Sequence, residues 1–177
     1  MGSRYDEDVA RAAEQAREQA SLPRVLHLAD QPVEDSRHGR LRHLAHSSLP
    51  TKAVAIDAFE LELEADGHSS RHRHMGEEVL YVKDGQGYDL HWEVEADFSE
   101  GRYRWQPAEE PSRHPWRAGD CIAIPANVVH QHFALGGGAT LISGMNRIYR
   151  LLPTWQIQEY EPASSVGDGS SSVGDGS

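Results

Sequence analysis

The chain has 177 residues, enough for one domain with a real core and short for two. Its net charge of −11 excludes the basic face that nucleic acid or an anionic membrane would require. A single cysteine, Cys121, excludes an internal disulfide framework and fits a reducing, cytoplasmic setting, and no run of about 18 apolar residues offers a membrane span.

The first element in chain order is a helix. Asp6 to Ala20, DEDVARAAEQAREQA, is rich in Ala, Glu, Gln and Arg with acidic residues in its first turn, and Pro23 stops it. Its apolar stripe (Val9, Ala12, Ala13, Ala16, Ala20) is thin, which predicts a surface position. From Pro23 to Pro50 the chain is polar and reads as an irregular arm. His27, His38, His43 and His46 are scattered through it at no ligand spacing and are expected in solvent.

After Pro50 the period changes to two. AVAIDAFELELEA (53–65) alternates through Phe59, Leu61 and Leu63 as a half-buried strand does. Short strands are predicted over 78–83, 87–94, 102–106, 121–124, 130–135 and 139–149, with Cys121 in the core. Glycine turns separate them at Asp66-Gly67, Asp84 to Gly87, Gly119-Asp120 and Gly136 to Gly138. Many short strands at this spacing make an antiparallel sandwich or barrel. The end of the chain, SSVGDGSSSVGDGS, repeats a seven-residue unit of mostly Ser and Gly and reads as a flexible tail. The expected organisation is therefore a helix and arm over 1–50, a β domain over 51–160, and a tail over 161–177.

The stretch RHRHMGEEVLYVKDG (71–85) concentrates the chemistry. With 11 histidines in the chain, about one His-x-His pair arises by chance, so the signal lies in the glutamate and glycine that follow. His72 and His74 share one face of a strand, about 6.6 Å apart, and can converge on one ion. Gly76 permits a kink that brings Glu78 round to it. Glu78 shares its face with Leu80 and Val82, whereas Glu77 faces outward with Val79 and Tyr81. A second cluster, GDCIAIPANVVHQHF (119–133), runs from an apolar strand through a Pro turn into His130 and His132. Imidazoles with a carboxylate suit Fe, Mn, Ni, Cu or Zn and leave positions open for water, substrate or dioxygen. His132 shares the inward face of His130, as a pocket residue or a hydrogen-bonded core histidine.

These two clusters resemble the paired motifs of the cupin superfamily. The first, G-x5-H-x-H-x3,4-E-x6-G, is matched by Gly67, His72, His74, Glu78 and Gly85; the second, G-x5-P-x-G-x2-H-x3-N, by Gly119, Pro125 and His130. The spacing from Gly67 to His72 is one residue short, Asn127 replaces a glycine, and Ala134 replaces the final Asn. Asn tolerates the left-handed backbone that such a turn can require. The resemblance covers about residues 53–150. It implies an all-β double-stranded β-helix, a jelly-roll-type barrel, here with a short N-terminal helix. It further implies a divalent metal held by His72, His74, Glu78 and His130, and a homodimer formed through outer sheets.

The four-ligand set looks like that of acireductone- and flavonol-type dioxygenases. The leading expectation is an Fe(II) dioxygenase whose small aromatic or enol substrate chelates the metal beside dioxygen. A Lewis-acid isomerase or lyase, with His132 or Tyr103 as acid or base, and a non-catalytic metal- or ligand-binding module are the alternatives. Between the motifs, residues 86–118 hold His91, Trp92, Tyr103, Trp105 and Trp116 with Arg102, Arg104, Arg113 and Arg117 interleaved. They are expected either to wall the substrate pocket or to form the sheet's own apolar face and rim.

Overall fold

The computed structural model describes residues 2–53, 55–97, 104–147 and 157–165. The expected helix is α1 (Arg4–Ser21), opened by a capping box in which the Asp6 amide donates to Ser3 Oγ (3.2 Å) and the Ser3 amide donates to Asp6 Oδ2 (3.0 Å). None of its residues is buried, as the thin stripe predicts.

The rest is β structure. The strands are β1 (Glu34–Ser36), β2 (Gly39–Ala45), β3 (Ile56–Leu63), β4 (Arg71–His74), β5 (Glu78–Trp92), β6 (Val94–Asp97), β7 (Arg104–Pro107), β8 (Ser112–Arg117), β9 (Cys121–Ile124), β10 (Val129–Asn146) and β11 (Ile157–Glu161). One antiparallel path runs β1-β2-β3-β10-β4-β11, and β5 joins it through β10 while also pairing with β8 and β9. The mostly β architecture with a short N-terminal helix is the one anticipated.

Two long strands organise it. β5 and β10 pair along nearly their whole length, and each serves both layers of the curled sheet. The turns expected at residues 84–87 and 136–138 are corrected here, because both glycine clusters lie inside these strands. Gly85, at φ 89°, and the irregularity between Ala134 and Ala139 make bulges that re-aim the ladder without ending it. At Gly87 a Cβ would lie 1.9 Å from the Phe133 carbonyl oxygen, so only glycine allows this close approach.

Between the layers, Leu61, Leu80, Val82, Ile124 and Leu141 are fully buried. Each such side chain contributes on the order of 1.5–3 kcal/mol. β5 alternates as expected, with Glu78, Leu80 and Val82 inside and Glu77, Val79 and Tyr81 outside. Cys121 is exposed, not in the core: Ile122 and Ile124 take the inward positions of β9, and period two puts Cys121 outside.

Both ends of the chain add to the sheet. The arm read as irregular contains β1 and β2, and β2 pairs with β3 through Leu41 opposite Leu61 and His43 opposite Phe59. β11 pairs with β4 through Ile157 opposite His74 and Glu159 opposite His72. Residues 161 and 163, expected in the tail, belong to the fold, since Glu161 closes β11 and the buried Ala163 donates its amide to the Arg37 carbonyl (2.9 Å); residues 166–177 lie outside the described residues.

Candidate metal centre

Alternation along the four residues of β4 points His72 and His74 inward between Arg71 and Arg73. The chain then turns at Met75-Gly76-Glu77 and delivers Glu78 as the first residue of β5. His130, in β10, sits opposite His72 of β4 on one side and His91 of β5 on the other. The turn before it is shaped by Asn127, whose φ of 65° is the left-handed conformation anticipated, and whose amide donates to the His74 carbonyl (2.9 Å). The two sequence clusters are thereby tied together.

His72, His74, Glu78 and His130 are all buried, and they offer four ligand atoms within 4.8 Å of one another. Glu78 Oε2 lies 3.0 Å from His74 Nε2 and 3.5 Å from His130 Nε2, while the Ser143 hydroxyl donates to Glu78 Oε1.

The imidazoles are held in one tautomer. Nδ1–H of His72 donates to the Ser70 carbonyl (3.2 Å), that of His74 to Gly76 (2.8 Å) and that of His130 to Val128 (2.9 Å). A carbonyl only accepts, so each neutral ring presents its Nε2 lone pair to the cluster. Those lone pairs face the carboxylate's own, and the fully buried His130 Nε2 has no hydrogen-bond partner. Without a cation this arrangement is repulsive and costs a few kcal/mol. A divalent ion removes the conflict, and three neutral imidazoles with one carboxylate are a fitting donor set.

The protonation states agree. Burial pushes His72 well below the ordinary imidazole range, and neighbouring His130 and His38 push it further. Burial likewise lowers His130, although Glu78 partly opposes it. For Glu78, burial alone would raise the carboxyl, but hydrogen bonding and positive charge on the His130 and His74 side hold it well below its usual range, and with the Nε2 lone pairs turned toward it that positive charge is the one a cation brings. Neutral imidazoles and an ionised carboxylate are the states a metal needs.

Behind this cluster lies a second polar group. His132 is fully buried, its ring centroid 5.5 Å from that of His130. Its Nδ1 is 3.0 Å from Asp89 Oδ1, close enough for an ion pair but off the direction a hydrogen bond requires. Asp89 also accepts Trp116 Nε1–H (2.7 Å) and lies 3.4 Å from His91 Nε2. Burial would lower His132, yet the Asp89 charge outweighs it and raises the imidazole above its ordinary value. Burial would raise Asp89, yet His132 and its hydrogen-bond partners hold it far below the carboxylate range.

The cavity that opens onto His72 and His74 measures about 180 Å³. Its apolar walls are Leu41, Phe59, Met145 and Ile157, and its polar ones are His38, His43, His46, Ser70, Asp57 and Glu159. Asp57 is 3.3 Å from Arg147 and Glu159 is 2.6 Å from Arg37. Burial, helped by the charge on His132, pushes His38 down to about 3, which leaves it neutral.

This wall differs from the one expected. Among the described residues, none of the segment 86–118 lines it: Trp116 points to Asp89, Trp92 sits under Arg71 (5.4 Å to the ring centroid) and Tyr88 under Arg113 (3.9 Å). His132 does not line it either, so it is not placed to touch a bound ligand. Tyr103 lies outside the described residues. The residues missed are His38, His43 and His46, which were expected in solvent. The signal available was the Gly39 turn followed by Leu41-x-His43-x-Ala45 alternation, obscured by the charged outward positions Arg40 and Arg42.

A family model described as Cupin matches residues 26–147. Among solved structures, a variant of the oxalate decarboxylase of B. subtilis superposes with a TM-score of 0.51 at 17% identity, over 68% of this chain and 28% of that one. The formate complex of Lactobacillus farciminis oxalate decarboxylase gives a TM-score of 0.51 at 17% identity, over 68% of this chain and 32% of that one. At this identity the likeness is one of fold, and this chain spans about a third of those lengths or less. No curated protein matches the sequence.

Proposed function

The chain belongs to the cupin family, and on that premise we propose that it is a metal-dependent dioxygenase, using Fe(II) on a small chelating substrate of aromatic or enol type. The observation that carries this reading is the His72, His74, Glu78, His130 cluster at the floor of a half-apolar cavity. A bound divalent ion there supplies Lewis acidity toward a chelating oxygen and, as Fe(II), electrons for dioxygen chemistry.

The chain's own residues do the rest. Ser70, Gly76 and Val128 fix the three rings through their carbonyls, and Ser143 fixes Glu78. Leu41, Phe59, Met145 and Ile157 exclude water from one side of the ligand. The wall chemistry also speaks to the substrate. Among the described residues lining the cavity none is Lys or Arg, and the two carboxylates there already have arginine partners. A compact dianion such as oxalate would find no cationic side chain, whereas a flat, largely neutral chelator fits apolar walls.

Protein purified without metal resins, loaded with Fe(II) and screened on an oxygen electrode against catechols, gentisate and 1,3-diketones tests this. The expected result is oxygen uptake that depends on one of these substrates. Tightly bound zinc with no uptake would overturn it in favour of a Lewis-acid isomerase or lyase, or of a metal-binding module without catalysis.

A further inference from the structure

We propose that His38 is a ligand-contacting residue of the metal cavity, donating a hydrogen bond from Nε2 to an oxygen of a single-ring chelator seated over His72 and His74. This rests on the metal-centre reading above and adds a residue from outside both metal-binding clusters.

Position comes first. His38 lies in the turn between β1 and β2, where its amide donates to Ser36 Oγ (3.2 Å) and its carbonyl accepts from the Ser70 amide (3.1 Å). Its ring stands edge-on to Phe59 (5.7 Å between centroids) and to His72 (4.6 Å). The backbone bond to Ser70 fixes the turn against the residue whose carbonyl orients His72. His38 therefore overhangs one of the metal ligands and forms part of the cavity wall.

Proton placement follows from the hydrogen bonds. His72 Nδ1–H is committed as a donor to the Ser70 carbonyl and also lies 3.2 Å from Ser70 Oγ. The Ser70 hydroxyl proton cannot go to that nitrogen, and the acceptor left to it is His38 Nδ1, at 2.8 Å. With Nδ1 accepting, His38 carries its ring proton on Nε2. His38 makes its side-chain hydrogen bond through Nδ1, and the residue lines the cavity. The chain His72–Ser70–His38 thus couples the tautomer needed for metal binding to a donor on a residue that lines the cavity beside His72.

Size restricts the ligand. A volume of about 180 Å³ is close to the roughly 150 Å³ that takes one benzene ring, so one ring with a small substituent fills it. The chelating oxygen is served by the metal and a second oxygen by His38, while Leu41, Phe59, Met145 and Ile157 cover the ring.

The test uses the full chain loaded with Fe(II) under nitrogen and titrated with 4-nitrocatechol, whose visible absorption reports binding without turnover. His38→Phe keeps the ring's bulk and removes both nitrogens; His38→Ala serves if the larger ring perturbs folding. The expected result is unchanged iron content and melting temperature, with a Kd weaker by about tenfold or more. A Kd within about twofold of the parent's, at full iron content, would overturn the contact while leaving the metal centre intact. Loss of iron in both variants would also overturn it, since His38 would then act by holding His72. A parent chain that binds no iron removes the metal-centre reading and this one together.

Discussion

Each imidazole of the cluster is committed through Nδ1 to a carbonyl of its own neighbourhood, and that commitment decides what Nε2 can do. Ser70, Gly76 and Val128 stand close in sequence to the rings they orient, so the short segments that supply the ligands also set their tautomers. Glu78 accepts the Ser143 hydroxyl at Oε1 while Oε2 faces His74 and His130 Nε2, so a cation between those atoms is what keeps it ionised despite full burial. The Asp89–His132 pair follows the opposite logic, with a carboxylate 3.0 Å from a buried imidazole and raising its proton affinity. Asp89→Asn keeps the shape and removes the compensating charge. We expect it to destabilise the fold by about 3–5 kcal/mol, read as a lower midpoint in urea; an unchanged midpoint would show that His132 is neutral in the core.

At the scale of elements, the length and bend of β5 and β10 place the site. β5 carries Glu78 at one end and Asp89 and His91 towards the other, and β10 carries His130 and His132 on consecutive inward positions. Gly87 is where these strands and Trp116 press closest, with Trp116 Cη2 2.4 Å from a hypothetical Cβ. Gly87→Val is therefore expected to cost more than about 2 kcal/mol and to lower the melting temperature. Gly137→Val, where a Cβ meets nothing within 4 Å, is the matched control. Equal melting of the two variants would mean that β5 and β10 can separate there at little cost.

How far these elements were legible depends on what the sequence encodes locally. Period-two alternation put Glu78 inside with Leu80 and Val82 and Glu77 outside, because half-burial is written in every second residue. The glycines at 85–87 and 136–138 look like turns in the sequence, since a positive φ serves a bulge as well as a strand end and only the partner strand tells which. β2 was hidden by Arg40 and Arg42, which pair with Glu62 and Glu60 on the sheet's outer face. β8 is hidden by its exposed, Pro-containing sequence, tolerable because among the described residues it pairs only with β5. The Gly39 turn and the alternation after it mark β2, but His38, just before that turn, matches no ligand spacing, and its neighbours in the cavity come from β2, β3, β4, β10 and β11.

At the scale of the whole molecule, the barrel is closed over the metal cluster by both ends of the chain. The β1–β2 turn and β11 meet at Arg37 and Glu159 (2.6 Å), and β11 covers the open edge of the short ligand-bearing strand β4. The helix α1 buries nothing, and none of the described helices is long and apolar enough to cross a membrane. The fold therefore builds one well-defined chemical feature, a buried three-histidine, one-glutamate cluster beneath a small cavity. The donor set fits a divalent ion. Elemental analysis of the chain, purified without added metal or metal resins, beside His74→Ala prepared identically, tests it most directly. The expected result is about one divalent transition-metal ion per chain in the parent and little in the variant at comparable folded content. A metal-free parent, or equal occupancy in both proteins, would contradict it.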